Sequence, residues 1–134
     1  MKLTIGRLAL EGGVGIPTIR YYQKRGLLSL PKRPSHGGFR VYTDADLKRL
    51  IQIREAQKLG FTLSEIATLL AHLDTRRCDA VKDLISKKHQ QLTQQLAELR
   101  AAQQHLSDLN GACQGNCIGV CPLIQTFSRT LQPG

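Results

Sequence analysis

Residues 16–28, IPTIRYYQKRGLL, combine a helix start signal with an apolar periodicity and a cluster of basic and aromatic side chains. Pro17 suits the first turn of a helix because its fixed φ is helical and its missing N–H is not needed there. Gly26 follows the basic pair Lys24-Arg25, an arrangement typical of a helix end. We therefore predict a short helix. The side chains it carries are Thr18, Arg20, Tyr21 and Lys24.

The preceding segment, TIGRLALEG at residues 4–12, has an apolar periodicity of its own, and the glycine-rich GGVG connects it to this helix. Glycines permit the tight turn that two crossing helices need, so the pair has a helix-turn-helix pattern. Arg20 and Lys24 on the second helix can reach base edges or phosphates in a major groove. Each basic side chain alone is equally well explained as a solvated charge, and one of Tyr21 and Tyr22 is expected in the core.

The next segment, SLPKRPSHGGFRVY at residues 29–42, predicts a strand, a flexible turn and a second strand, which we call the wing. Gly37 in the turn lets the backbone approach DNA closely, and Phe39 begins the second strand. Arg40 flanks the turn, and Tyr42 can donate a hydrogen bond to a phosphate. The wing is therefore a second candidate DNA contact.

Two helices are predicted after the wing. Thr43 has the character of an N-cap with Asp46 in the first turn, and the apolar pattern that follows continues to a break at residues 58–60. Thr62 and Glu65 have the spacing of a capping box for a short helix through Leu70.

Residues 79–109 contain no Pro or Gly and are rich in Gln, Leu, Ala and Lys, which predicts one long helix. Lys88 and Gln95 interrupt one of its apolar rows. Apolar residues recur every seven positions at Ile85, Leu92, Leu99 and Leu106. Such a seam indicates a two-stranded antiparallel coiled coil, and hence a homodimer.

The chain of 134 residues has 19 Lys and Arg against 10 Asp and Glu, a net charge of +9. This balance favours a polyanionic partner, with nucleic acid the leading candidate. No stretch is apolar and long enough for a secretory or membrane-spanning segment, so we expect a cytoplasmic protein without a membrane partner. The sequence has no catalytic triad, phosphate loop or paired acid site, so we do not expect an enzyme.

The segment CQGNCIGVC, residues 113–121, offers soft metal ligands. Cys113 and Cys121 flank seven residues that include two glycines, a loop flexible enough to bring both sulfurs onto one ion. All-thiolate ligation selects soft ions such as Hg(II), Cd(II), Pb(II) or Cu(I), with Zn(II) at a higher ligand count. Cys117 is a spare thiol, a fourth ligand or a redox partner, and spacing alone does not decide among these.

Cys78 stands at the start of the long helix. A helix of about 30 residues spans roughly 45 Å, so Cys78 cannot reach Cys113 within one chain. In an antiparallel dimer the loop of one subunit faces Cys78 of the other, which predicts a three-thiolate site across the interface. The alternative for Cys78 is a half-buried structural residue. An iron–sulfur cluster is a minor alternative, because clusters usually use closer cysteine pairs.

Three segments in this order, TIGRLALEGGVGIPTIRYYQKRGLL, GGFRVYTDADLKRL and LGFTLSEIATLL, resemble the MerR family of bacterial transcription regulators. The resemblance implies a mainly α fold. A winged helix-turn-helix DNA-binding domain at residues 1–74 would precede a dimerisation helix at 75–110, which forms an antiparallel coiled coil, and a metal-binding loop and tail at 111–134. Promoter DNA and RNA polymerase are the implied partners, and the effector-bound form would bend and untwist an overlong promoter spacer.

The resemblance implies a set of DNA contacts on the second helix, the wing and the helix after it. These are Thr18, Arg20, Tyr21, Arg40, Tyr42 and Arg54, and the neighbouring Tyr22, Lys24, Gly37 and Phe39 complete the predicted set.

Within the family, the segment CPLI that begins at Cys121 looks like that of the metal-sensing branch. Cysteine at position 78 is typical of sensors of divalent ions, and mercury sensors use three thiolates that match Cys78, Cys113 and Cys121. The resemblance therefore implies an Hg(II)-responsive regulator of metal-resistance genes. The loop is one residue shorter than is usual in mercury sensors and contains Cys117. A sensor of Cd(II), Pb(II) or Zn(II) with Cys117 as a ligand, and a thiol redox sensor, remain the alternatives.

Overall fold

The structure is a computed structural model that describes residues 2–115 and 119–128. Its helices are α1 (Ile5–Gly12), α2 (Ile16–Lys24), α3 (Asp44–Lys58), α4 (Leu63–Asp74), α5 (Cys78–Ala112) and α6 (Pro122–Ser128). Contacts divide the chain into a first unit up to Lys88 and a second unit from His89. The predicted mainly α architecture is confirmed. None of the described helices is both long and apolar enough to cross a membrane.

Helices in the first unit begin where the sequence signals predict. The hydroxyl of Thr43 accepts a hydrogen bond from the backbone N–H of Asp46, whose carboxylate accepts from the N–H of Thr43. Thr62 and Glu65 form the same reciprocal capping box at the start of α4. Gly15, before α2, offers no side-chain cap, so the first turn of this helix relies on proline for its stability.

The core of the first unit combines apolar side chains from several helices. Leu8 of α1, Ile19 of α2, Leu50 of α3 and Ile66 of α4 have no exposed surface. At Gly12, α1 approaches α3 so closely that an added Cβ would overlap the side chain of Leu50. Glycine at this position therefore lets the two helices approach without displacing Leu50.

The prediction of two strands in the wing is wrong. The described residues contain no strand, and an isolated antiparallel bridge joins Tyr42 of the wing to Leu3, with N···O distances of 2.7 and 2.8 Å. Pro31 and Pro34 lack the N–H groups that a ladder along the first predicted strand would need. The second predicted strand pairs with the N-terminal segment instead.

Two helices are longer than predicted. The fourth, α4, continues past Leu70 to Asp74, and α5 starts at Cys78 and ends at Ala112. Between them Arg76 adopts a left-handed backbone with φ of 54°, which breaks the helical run. The side chains of α5 from 89 to 108 are all exposed, including the predicted seam residues Leu92, Leu99 and Leu106.

We expect Gly12→Ala to lower the free energy of unfolding by about 1–3 kcal/mol, because the added methyl group overlaps Leu50 in a close-packed core. Gly6→Ala is the matched control in the same helix, since a Cβ at Gly6 meets nothing within 4 Å. The control should be neutral or slightly stabilising. Urea unfolding followed by circular dichroism measures both changes. Wild-type stability of Gly12→Ala would contradict the packing described here.

Candidate nucleic-acid interface and metal loop

A groove of about 640 Å³ lies between the start of α1, the helix α2 and the wing. Its lining residues are Thr4, Ile5, Gly6, Arg20, Arg33, Gly38, Phe39, Arg40 and Tyr42. These described residues include three arginines and no carboxylate. A groove with this charge is suited to phosphate groups of a nucleic acid.

The exposed face of α2 carries most of its predicted contact residues. Arg20 and Lys24 are exposed, and Thr18 is half-buried in the first turn. The ring of Tyr21 is 47% exposed, and the guanidinium of Arg25 lies 5.9 Å from its centroid. The stacked pair presents a hydroxyl and a positive charge on the same side of α2.

Two tyrosines of the predicted set of DNA contacts, Tyr22 and Tyr42, have buried side chains. Tyr22 is 3% exposed, and its hydroxyl donates to Oε1 of Gln57 at 2.5 Å. Tyr42 is 1% exposed, and its hydroxyl accepts from Nε2 of Gln23 at 2.9 Å. Both rings therefore pack in the core, although Tyr42 also lines the groove, and their contacts with DNA stay predictions. The expectation that one of the adjacent tyrosines lies in the core is confirmed, and Tyr21 is the exposed one.

Side-chain hydrogen bonds hold the wing in place. The Nε of Arg40 donates to the carbonyl of Pro31 at 2.8 Å, which links the two sides of the wing and fixes the guanidinium plane. Gln23 of α2 donates to the carbonyl of Ser29 at 3.1 Å and so ties the start of the wing to α2. At the tip, Phe39 is 84% exposed, and Gly37 has φ of 82°. The wing therefore presents an apolar ring beside a fixed arginine.

Sequence reasoning missed some residues of this groove. It also included several that do not line it, namely Thr18, Tyr21, Tyr22, Lys24, Gly37 and Arg54. The start of α1 contributes Thr4, Ile5 and Gly6 to the lining. The available signal was Thr4, a good N-cap residue whose hydroxyl accepts from the N–H of Arg7 at 3.1 Å. Nothing in the sequence pointed to Gln23 as a link to the wing. Arg54, on α3, is half-buried and is not among the lining residues.

In the second unit the structure brings Cys113 and Cys121 together. Their Sγ atoms are 3.9 Å apart, and both residues are half-buried. Gly115 and Gly119 adopt positive φ values of 88° and 94°, which let the chain turn back on itself. The backbone N–H of Gly115 donates to Sγ of Cys113 at 3.4 Å.

The distance between the two sulfurs suits ligands of a common ion. Two tetrahedral thiolates at about 2.3 Å from a metal lie about 3.8 Å from each other, close to the observed separation. The donor set is soft, as a thiophilic ion requires. Cys117 lies outside the described residues.

Cys78 is the first residue of α5, where its side chain is exposed. Within residues 2–115 and 119–128 no group of three or more His, Cys, Asp or Glu side chains is placed to hold a metal ion. The described part of one chain therefore supplies a pair of thiols and not a triad.

Comparisons with known proteins agree with the motifs. The family described as MerR HTH family regulatory protein matches residues 3–73, and that described as MerR, DNA binding matches residues 47–109. The mercuric resistance operon regulatory protein of Serratia marcescens is 40% identical over 135 residues, which cover 98% of this chain and 92% of that protein.

Two solved structures with bound metal are also similar. PbrR691 from Ralstonia metallidurans CH34, in complex with lead(II), has a TM-score of 0.80 and 32% identity over 93% of this chain and 98% of its own. MerR from Bacillus megaterium MB1, in complex with mercury(II), has a TM-score of 0.72 and 33% identity over 94% and 99%. The matched motifs, length and fold show that this chain belongs to the MerR family of helix-turn-helix regulatory proteins.

Proposed function

We propose that this protein is a homodimeric transcriptional regulator that responds to Hg(II) and controls metal-resistance genes from their promoter. The observation that carries the proposal is the thiol pair of Cys113 and Cys121, at 3.9 Å in a MerR-family chain. The mercuric resistance regulator of Serratia marcescens and the mercury-bound Bacillus megaterium MerR support this choice of ion.

In this proposal residues 1–74 bind DNA, residues 75–110 form the dimer, and residues 111–134 hold the metal. Thr18, Arg20, Tyr21 and Lys24 of α2 face the major groove, with Gly37, Phe39 and Arg40 of the wing and Arg54 of α3 as further contacts. The arginines around the groove supply charge for the phosphate backbone. RNA polymerase is the further partner, recruited in the cytoplasm to a promoter that the metal-bound dimer distorts.

The second subunit supplies what a single chain lacks. Exposed apolar residues of α5, such as Leu92 and Leu99, offer a seam for an antiparallel partner helix. That arrangement would bring Cys78 of one subunit to Cys113 and Cys121 of the other. Three thiolates from two chains would then make metal occupancy depend on the geometry of the dimer.

Two observations support alternative effectors. The similarity to lead-bound PbrR691 supports a Pb(II), Cd(II) or Zn(II) sensor in which Cys117 adds a ligand. The short distance between Cys113 and Cys121 also supports a redox sensor, in which an oxidant joins the two thiols in a disulfide.

For DNA binding, we expect Arg20→Ala to weaken affinity for a specific duplex about tenfold or more, because a guanidinium contact to a base or phosphate is lost. Arg100→Ala is the matched control, since Arg100 is exposed on α5 and the same charge is removed. Fluorescence anisotropy at one salt concentration, with a duplex selected from a random-sequence pool by the wild-type dimer, measures both. Equal losses for the two variants would mean that Arg20 contributes only net charge.

For metal binding, Hg(II) is titrated into the reduced dimer with excess competing thiol, and the thiolate-to-metal charge-transfer absorbance is followed. We expect a saturable site that Cys78→Ser or Cys113→Ser weakens more than about 100-fold, since even changes outside the ligand shell cost about 10–100-fold. Cys117→Ser is the matched control, with the same substitution inside the same loop, and it should bind Hg(II) like the wild type.

The same titration separates the alternatives. A site that requires Cys117 would favour the Cd(II), Pb(II) or Zn(II) sensor. Activation by peroxide without metal, with a disulfide between Cys113 and Cys121, would favour the redox sensor.

A further inference from the structure

Lys88 is the one charged side chain that the described part of the chain buries, at 9% exposed. Its Nζ donates to Oε1 of Glu65 at 2.9 Å and lies 5.3 Å from the centroid of the Phe61 ring. In the sequence this lysine interrupts an apolar row of α5. The structure gives a reason, because at this position α5 contacts the start of α4 within the first unit.

Glu65 connects this ion pair to the start of α4. The Oε1 atom that accepts from Lys88 also accepts the backbone N–H of Thr62 at 2.8 Å, as part of the capping box. The Lys88 hydrogen bond, followed by the Thr62 backbone N–H, lowers the pKa of Glu65 below its usual value. A charged carboxylate therefore joins the cap of one helix to the flank of another.

The ion pair is the last contact of a docked stripe. Val81, Leu84 and Lys88 recur on one face of α5, and the two apolar residues pack against the core of the first unit. From 89 to 108 every side chain of α5 is exposed. The contacts of α5 with the core of the first unit therefore end at Lys88. Cys78 lies in the turns of α5 that belong to this first unit.

Packing alone does not require a charge at this position. A methionine would fill a similar length without the cost of removing an ammonium group from water. What the ion pair adds is a directional hydrogen bond between Nζ of Lys88 and Oε1 of Glu65, which an apolar side chain cannot make.

We propose that Lys88 is a positioning residue for the metal response: its bond to Glu65 holds the docked part of α5, residues 78–88, and with it Cys78, to the rest of the first unit. An ion bound between Cys78 and the loop of the partner then moves this unit as a body. This inference rests on the proposed function, because it requires Cys78 to be a ligand.

The test compares the wild-type dimer with Lys88→Met, Lys88→Arg, Lys87→Met and Cys78→Ser. Lys87→Met is the matched control, because Lys87 is the exposed neighbour and loses the same charge. Three quantities are measured: Hg(II) binding by charge-transfer absorbance, metal-free affinity for the selected duplex, and the Hg(II)-dependent change in energy transfer between dyes at the duplex ends.

We expect Lys88→Met to keep Hg(II) binding and metal-free DNA affinity, while the Hg(II)-dependent change in energy transfer falls at least about fivefold. Lys88→Arg should restore most of the change, since a guanidinium can also donate to Glu65. Lys87→Met should behave like the wild type. A residue that only stabilised the fold would instead lower metal-free DNA affinity together with the response.

Three results would overturn the inference. If Lys88→Met shows the same Hg(II)-dependent change in energy transfer as the wild type, while Cys78→Ser abolishes Hg(II) binding, Lys88 does not position the site. If Lys88→Met loses metal-free DNA affinity together with the Hg(II) response, and Lys88→Arg restores neither, Lys88 has only a structural role. If Cys78→Ser binds Hg(II) like the wild type, the three-thiolate site is wrong, and the role of Lys88 in it is wrong as well.

Discussion

The close approach of α1 and α3 at Gly12 is the constraint on which the DNA-binding unit depends. The side chain of Leu50 occupies the space that a Cβ at Gly12 would need, so any larger residue there would force Leu50 to shift within the core. Gly13 follows with φ of 68° and ends α1, which lets the chain turn directly into α2. Because Ile19 is then buried in the same core, Arg20 faces outward into the groove. The packing at Gly12 thus contributes to the orientation of α2, in which Ile19 faces the core and Arg20 faces the groove.

The wing is held by side-chain hydrogen bonds and by the backbone bridge from Tyr42 to Leu3, without a strand ladder. Gln23 bonds to Ser29 and Tyr42, and Arg40 bonds back to Pro31.

Sequence patterns predicted the helices well because their determinants are local. Capping residues, Pro17 and the glycine after α2 each act within one turn, and the structure places the helix starts where these residues predict. The wing was predicted wrongly, because pairing of Tyr42 with Leu3 depends on segments far apart in sequence.

The candidate site residues, too, were predicted correctly only where their arrangement depends on residues close together in the sequence. The loop thiols, close in sequence, were expected to meet and do so. Burial of Tyr22 and Tyr42, the lining by Thr4 and the bond from Lys88 to Glu65 all depend on tertiary packing that no single pattern encodes. The sequence showed that Lys88 interrupts an apolar row of α5. Only the contact of α5 with α4 explains why a lysine stands there.

The central claim is that the metal site is shared between subunits, and a mixed dimer tests it most directly. One subunit carries Cys78→Ser, the other carries Cys113→Ser and Cys121→Ser, and the heterodimer is isolated through two different affinity tags. If the site is shared, the heterodimer keeps one complete site, made of Cys78 from one subunit and the intact loop from the other. Each heterodimer then binds one Hg(II) tightly, although neither homodimer of the variants does. A heterodimer that binds no Hg(II) against a competing thiol would contradict a metal site shared between the subunits.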